Sequence, residues 1–145
     1  MKKLLILVVA IAGIVGFAGC SSDNFNNSNP YLPGYSFTVN IDMTLPSYTD
    51  LLYTGNAKYI GIDGIGINGI FVMNTGSGWA AWEASCPNQE LSSCSVLEKN
   101  GVNVTCPCDG VEYSLFTGQA TTAVKYPLKS YRVEILGNNV IRVYN

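Results

Sequence analysis

Four cysteines gathered in one stretch, Cys86, Cys94, Cys106 and Cys108, carry the most chemical potential in this 145-residue chain, and a fifth, Cys20, stands alone near its start. Thiols can pair as disulfides, hold a soft metal or act as nucleophiles. The sequence contains no histidine, which removes Ser-His-Asp and Cys-His catalysis, histidine metal ligation and imidazole proton shuttling together. Any reaction would have to run on Cys, Asp, Glu, Tyr or Lys. Glu90, Glu98, Asp109 and Glu112 lie near the cysteines in sequence. A paired-carboxylate hydrolase needs two acids held in one pocket, whereas solvated loop charges account for these four. No catalytic residue is assigned, and a non-enzymatic role is the leading expectation.

Two further classes fall away. Lys and Arg number 8 against 10 Asp and Glu, a net charge of −2, so no basic field exists to neutralise phosphates and nucleic acid is excluded as a partner. Gly64-Ile65-Gly66-Ile67-Asn68-Gly69 matches the dinucleotide pattern G-x-G-x-x-G letter by letter. That motif works by turning a strand into a helix whose N-terminus faces a pyrophosphate, and here Ile70 to Met73 reads as strand. A glycine-rich turn is the better reading, and no nucleotide is expected.

The elements that must position the cysteines begin after a targeting segment. Met1, Lys2 and Lys3 precede an apolar run, Leu4 to Val15, too short to span a bilayer comfortably, which reads as a signal peptide over residues 1–19. It closes on Phe17-Ala18-Gly19-Cys20, which resembles the lipobox of bacterial lipoproteins, with Phe17 where Leu is more usual. The resemblance implies that Cys20 is the lipid anchor and the mature N-terminus. The membrane is then a partner through Cys20, and the site of residence is the bacterial cell envelope, the outer membrane in preference to the inner. Residues 20–34, rich in Asn and Ser, read as a lipidated flexible tether, and residues 35–145 as the domain. With Cys20 lipidated, an even set of four cysteines remains in a compartment that permits disulfides.

Within the domain, Phe37, Val39 and Ile41 alternate with polar residues at period two, as a half-buried strand requires. Further strands are expected at Leu51–Tyr53, Lys58–Ile60, Ile70–Met73, Trp79–Trp82, Val102–Thr105, Val111–Ser114, Tyr131–Leu136 and Val140–Tyr144. Gly137-Asn138-Asn139, which tolerate positive φ, favour a hairpin between the last two. No stretch shows helical periodicity, so the fold class is all-β, an antiparallel sandwich or barrel.

The spacing of the cysteines then carries a family resemblance. Cys86-Pro87-Asn88, 17 intervening residues and Cys106-Pro107-Cys108-Asp109 resemble the Rieske [2Fe-2S] motif Cys-x-His…Cys-x-x-His with both histidine positions replaced. Trp79 to Ser85, Tyr113 to Gly118 and Pro127 to Tyr131 with the terminal hairpin are similar to the segments around that motif. The resemblance implies a Rieske-like β domain with two cysteine-bearing loops. It places Cys86 and Cys106 at the cysteine-ligand positions and Asn88 and Asp109 at the histidine-ligand positions. It also pairs Cys94 with Cys108 as an inter-loop disulfide, puts Val111 where a serine commonly donates to the cluster, and keeps an aromatic hydroxyl at Tyr113.

A Rieske centre takes two imidazoles on one iron and two thiolates on the other, so this degenerate ligand set leaves three arrangements open. Cys86 and Cys106, which hold one iron from facing loops in the family geometry, could close a second disulfide. The four cysteines could hold iron or zinc, or Cys86 and Cys106 with Asn88 and Asp109 could retain a [2Fe-2S] cluster. The first is favoured, so no cofactor and no metal ligands are expected. The leading function is a membrane-anchored binding or structural module meeting an envelope protein. The alternative is a Rieske-type electron-transfer protein, with a [2Fe-2S] or four-cysteine metal centre, serving an envelope oxidoreductase. Thiol redox work ranks last, because no Cys-x-x-Cys at a helix N-terminus is present to depress a thiol pKa.

Overall fold

The computed structural model describes residues 28–145; the expected signal peptide, Cys20 and the tether as far as Asn27 lie outside the described residues. The period-two segments become antiparallel strands, and the all-β expectation holds. In chain order the strands are β1 (Thr38–Asp42), β2 (Ala57–Ile60), β3 (Ile70–Asn74), β4 (Trp79–Glu83), β5 (Glu98–Asn100), β6 (Asn103–Thr105), β7 (Glu112–Ser114), β8 (Ser130–Gly137) and β9 (Val140–Tyr144). Six form one sheet in the order β1-β9-β8-β4-β3-β2, and β5-β6-β7 form a second.

Strand alternation divides the interior into two cores. Phe37 and Ile41 beside and in β1, Ile60 in β2, Ile70 and Val72 in β3, Ala81 in β4 and Ile141 and Val143 in β9 share one cluster. Strands β1 and β2 are the two edges of the large sheet, so their meeting in one core requires the sheet to curl towards closure, as an open barrel. The opposite faces of β2 and β3, through Ala57, Phe71 and Met73, pack with Val104, Tyr113, Leu115, Cys86 and Cys106 in the second cluster. Every residue of β3 is buried, because this strand separates the two cores, and its run Ile-Phe-Val-Met has no polar face for that reason.

The β8–β9 turn forms as expected, with φ of 91°, 52° and 62° at Gly137, Asn138 and Asn139. Three segments differ from expectation. Leu51–Tyr53 is no strand: Thr49–Leu52 is a 3-10 helix that buries Leu51 completely, and successive turns run up to it, with Tyr48 N–H donating to the Leu45 carbonyl at 2.9 Å and Leu51 N–H to the Tyr48 carbonyl at 3.0 Å. β5 has no hydrophobic alternation to reveal it, being exposed Glu-Lys-Asn; pairing with β6 makes it a strand. The tether drawn to residue 34 also stops short. Asn29 Nδ2 donates to the Pro87 carbonyl at 2.7 Å, Leu32 is buried, and Lys129 Nζ donates to the carbonyls of Leu32 and Pro33, each at 3.0 Å. These contacts make residues 29–33 a strap on the domain.

Candidate functional site

One cysteine loop joins the large sheet to the small one, and the other lies within the small sheet. The first connects β4 to β5 and is closed at its base by an isolated bridge between Ser85 and Val96, with Cys86 N–H donating to the Ser95 carbonyl at 2.8 Å. The second is the β6–β7 turn, in which Cys106 N–H donates to the Val111 carbonyl at 2.9 Å and Gly110 N–H to the Cys106 carbonyl at 2.8 Å. Gly110 supplies the positive φ of 73° that the turn needs.

The facing loops are joined twice. Cys86 bonds to Cys106, with Cα atoms 5.5 Å apart, and Cys94 bonds to Cys108, with Cα atoms 5.3 Å apart. Four cysteines allow three connectivities; Cys94 with Cys108 is the pair that the family resemblance implies, and Cys86 with Cys106 is the favoured one of the three arrangements left open for the remaining two. The two bonds differ in access. Cys86 and Cys106 are fully buried, whereas Cys94 is exposed and Cys108 half-buried. The sulfurs of Cys86, Cys106 and Cys108 lie within 4.8 Å of one another, so the bonds are stacked, one inside and one at the rim. Ser92 Oγ lies 3.3 Å from Cys94 Sγ and 3.6 Å from Cys108 Sγ.

Asn88 and Asp109 are each hydrogen-bonded to other partners. Asn88 Nδ2 donates to Tyr113 Oη at 2.9 Å and to the Tyr126 carbonyl at 2.8 Å, and its Oδ1 accepts from Tyr126 N–H at 2.9 Å. Asp109 Oδ1 accepts from Val111 N–H at 2.9 Å, closing an Asx turn. Burial raises the Tyr113 phenol above its usual value, against the opposing effect of the Asn88 hydrogen bond. These donors do not fit a Rieske cluster, which takes two imidazoles and two free thiolates. Here the sulfurs of Cys86 and Cys106 are bonded to each other, Asn88 is an amide engaged at both ends, and Asp109 is a carboxylate held by its own loop. Nor do bonded sulfurs supply the thiolates that a four-cysteine zinc or iron site needs.

A second polar constellation, which sequence reasoning missed, fixes the base of the first loop. Glu83 is fully buried at the end of β4. Its Oε2 accepts from Ile67 N–H at 2.8 Å and Tyr131 Oη at 2.5 Å. Its Oε1 accepts from Asn68 N–H at 3.1 Å, Ser85 N–H at 3.0 Å and Ser85 Oγ at 2.7 Å. The amides of the glycine turn therefore face an anion after all, one supplied by the chain itself. A Cβ on Gly66, at φ 67°, would stand 2.5 Å from the Gly69 carbonyl oxygen and 2.9 Å from Glu83 Oε2, so this position needs glycine for space as well as dihedral angle. The turn feeds β3 and no helix follows it, as expected. Period two was the available signal for Glu83: it falls on the same face of β4 as the core residue Ala81. Burial lowers the Lys129 ammonium and Glu83 partly opposes that shift, while burial, then the Glu83 charge, raises the Tyr131 phenol. Tyr126 and Ser92 were also missed; Ser92 lay beside Cys94 in Ser92-Ser93-Cys94-Ser95.

No family model matches the chain, and no curated protein matches it. Among solved structures it is similar to a protein assigned as the small subunit of an NADH-dependent nitrite reductase from Mycobacterium tuberculosis, at 14% identity and a TM-score of 0.47 over 77% of this chain and 97% of that one. It is similar to the ferredoxin of carbazole 1,9a-dioxygenase from Nocardioides aromaticivorans, at 20% identity and a TM-score of 0.41 over 63% of this chain and 86% of the other. A Sphingomonas yanoikuyae ferredoxin matches at 17% identity and a TM-score of 0.44, over 64% and 88% of the two chains.

Proposed function

We propose that this chain is a lipid-anchored protein of the bacterial envelope whose domain keeps a Rieske-like frame, binds no iron–sulfur cluster, and serves as a non-enzymatic module that docks an envelope partner. The observation that carries the reading is the re-use of the ligand positions. Cys86 and Cys106 are bonded to each other, and Asn88 braces the first loop against Tyr113 and Tyr126. Each position has a structural task that binding a cluster would undo. The anchor and the loops also lie close along the chain. Cys20 precedes Asn29 by nine positions, and Asn29 bonds to the first cysteine loop. At full extension the lipid is therefore within about 30 Å of the loop, which favours a partner in or near the membrane.

The test is the metal content and visible spectrum of the full-length protein, purified without air, before and after incubation with ferrous iron and sulfide. The expected result is no bound iron and no visible band in either state. A stable, reducible cluster in the unmodified protein overturns the reading and puts electron transfer first.

A further inference from the structure

We propose that the stacked disulfides work as a thiol–disulfide relay: Cys94–Cys108 at the rim oxidises an external dithiol, and Cys108 passes the electron pair inward to Cys86–Cys106. The proposal rests on the reading that the four cysteines are paired and metal-free, and gives the docked module a redox activity in place of a purely non-enzymatic role.

Exchange proceeds by attack of a thiolate on a disulfide sulfur, so it is governed by access and proximity. Cys86 and Cys106 are fully buried, which closes the inner bond to an external thiol. Cys94 is exposed and open to attack. A first partner thiolate attacks Cys94 Sγ, forming a mixed disulfide and releasing Cys108 as thiolate. The partner's second thiolate attacks its own sulfur in that mixed disulfide, leaving the partner oxidised and Cys94 free. Two electrons and the partner's two protons have then passed to the Cys94–Cys108 pair. Ser92 Oγ, 3.6 Å from Cys108 Sγ and 3.3 Å from Cys94 Sγ, is placed to donate to either departing thiolate. No helix N-terminus is needed for that.

Cys108 Sγ lies within 4.8 Å of both inner sulfurs. Its thiolate attacks Cys86 Sγ, releasing Cys106 as thiolate and forming Cys86–Cys108. That bond still crosses between the two loops. Attack on Cys106 would instead close a ring around the single rigid residue Pro107. The Cys94 thiolate then attacks Cys108 Sγ, restoring Cys94–Cys108 and releasing Cys86. The electron pair and both protons now sit on Cys86 and Cys106, and the rim bond is ready for a second dithiol. A disulfide-bearing oxidant reverses the sequence.

Two experiments on the full chain test the relay. In the first, the oxidised protein is reduced with dithiothreitol, quenched with acid at intervals, alkylated and peptide-mapped. Removing the rim bond by Cys94→Ala with Cys108→Ala should slow reduction of Cys86–Cys106 at least tenfold, although it uncovers that bond. An unchanged or faster rate in a variant that keeps the wild-type circular dichroism and unfolding transition overturns the proposal. In the second, Cys94→Ser leaves Cys108 with a free thiol beside the inner bond. Acid quenching, which stops exchange, followed by alkylation in acidic denaturant should then find a substantial share of molecules modified at Cys106 and joined Cys86–Cys108; modification at Cys108 alone overturns the proposal even if the double variant fails to fold. Free thiols in the untreated wild-type protein would instead count against the paired, metal-free reading beneath it.

Discussion

Asn88 pairs with the backbone of Tyr126 as a neighbouring strand would: its Nδ2 donates to the Tyr126 carbonyl at 2.8 Å while its Oδ1 accepts from the Tyr126 N–H at 2.9 Å. One side-chain amide thus ties the first cysteine loop to the segment that leads into β8, 38 residues later in the chain, and its second N–H reaches Tyr113 Oη. Asn88→Ala removes three hydrogen bonds and leaves two part-buried backbone groups without a partner. It should destabilise the protein by about 2 kcal/mol, read as the shift in the urea unfolding midpoint at constant slope. A loss below about 0.5 kcal/mol would show that the brace contributes little beyond what water supplies.

The disulfides predict a definite chemical map. Alkylation of the denatured, unreduced protein should find no free thiol at Cys86, Cys94, Cys106 or Cys108, and peptide mapping should recover Cys86 with Cys106 and Cys94 with Cys108. Replacing Cys86 and Cys106 together by Ala removes a cross-link between positions 20 residues apart, which should cost about 3 kcal/mol in the chain-entropy account.

Alkaline stability should depend on Tyr131, whose phenol is raised above its usual value by burial and by the Glu83 charge. The sign follows from linkage. Between the unfolded and folded pKa values the native state binds more protons than the unfolded chain, so the contribution is complete below about pH 10 and is lost as pH rises beyond it. Tyr113 acts in the same direction, and Lys129, lowered by burial, in the opposite one. Tyr131→Phe should destabilise by about 2 kcal/mol at neutral pH, because Glu83 loses a donor. It should also lose stability less steeply than wild type above pH 10, by up to about 1.4 kcal/mol per pH unit. Parallel pH profiles would detach Tyr131 from the alkaline transition.

The anchor predicts a change of compartment. Wild-type protein should sediment with membranes, and Cys20→Ser should move it to the soluble fraction, since two or more acyl chains anchor stably where none remains in the variant. Wild-type protein found wholly soluble removes the lipid from the account.

Local chemistry made much of this legible. Alternation marked β1, which buries one face, a continuous apolar run marked β3, which buries both, and Gly137-Asn138-Asn139 announced its turn because few other residues accept positive φ there. The even cysteine set pointed to disulfides before any geometry was available. What the residue pattern left open is what depends on distant parts of the chain meeting. Asn88 could have been a ligand or a brace, and only the approach of Tyr126, 38 positions on, makes it a brace. Gly64 to Gly69 matched a phosphate-binding pattern, and its amides do bind an anion; tertiary packing supplies that anion as Glu83, 16 residues beyond Ile67. β5 became a strand through its neighbour β6 rather than through its own residues. The nesting of a buried disulfide beneath an exposed one exists only when the two loops close face to face, because no spacing in the chain encodes which sulfur lies above which.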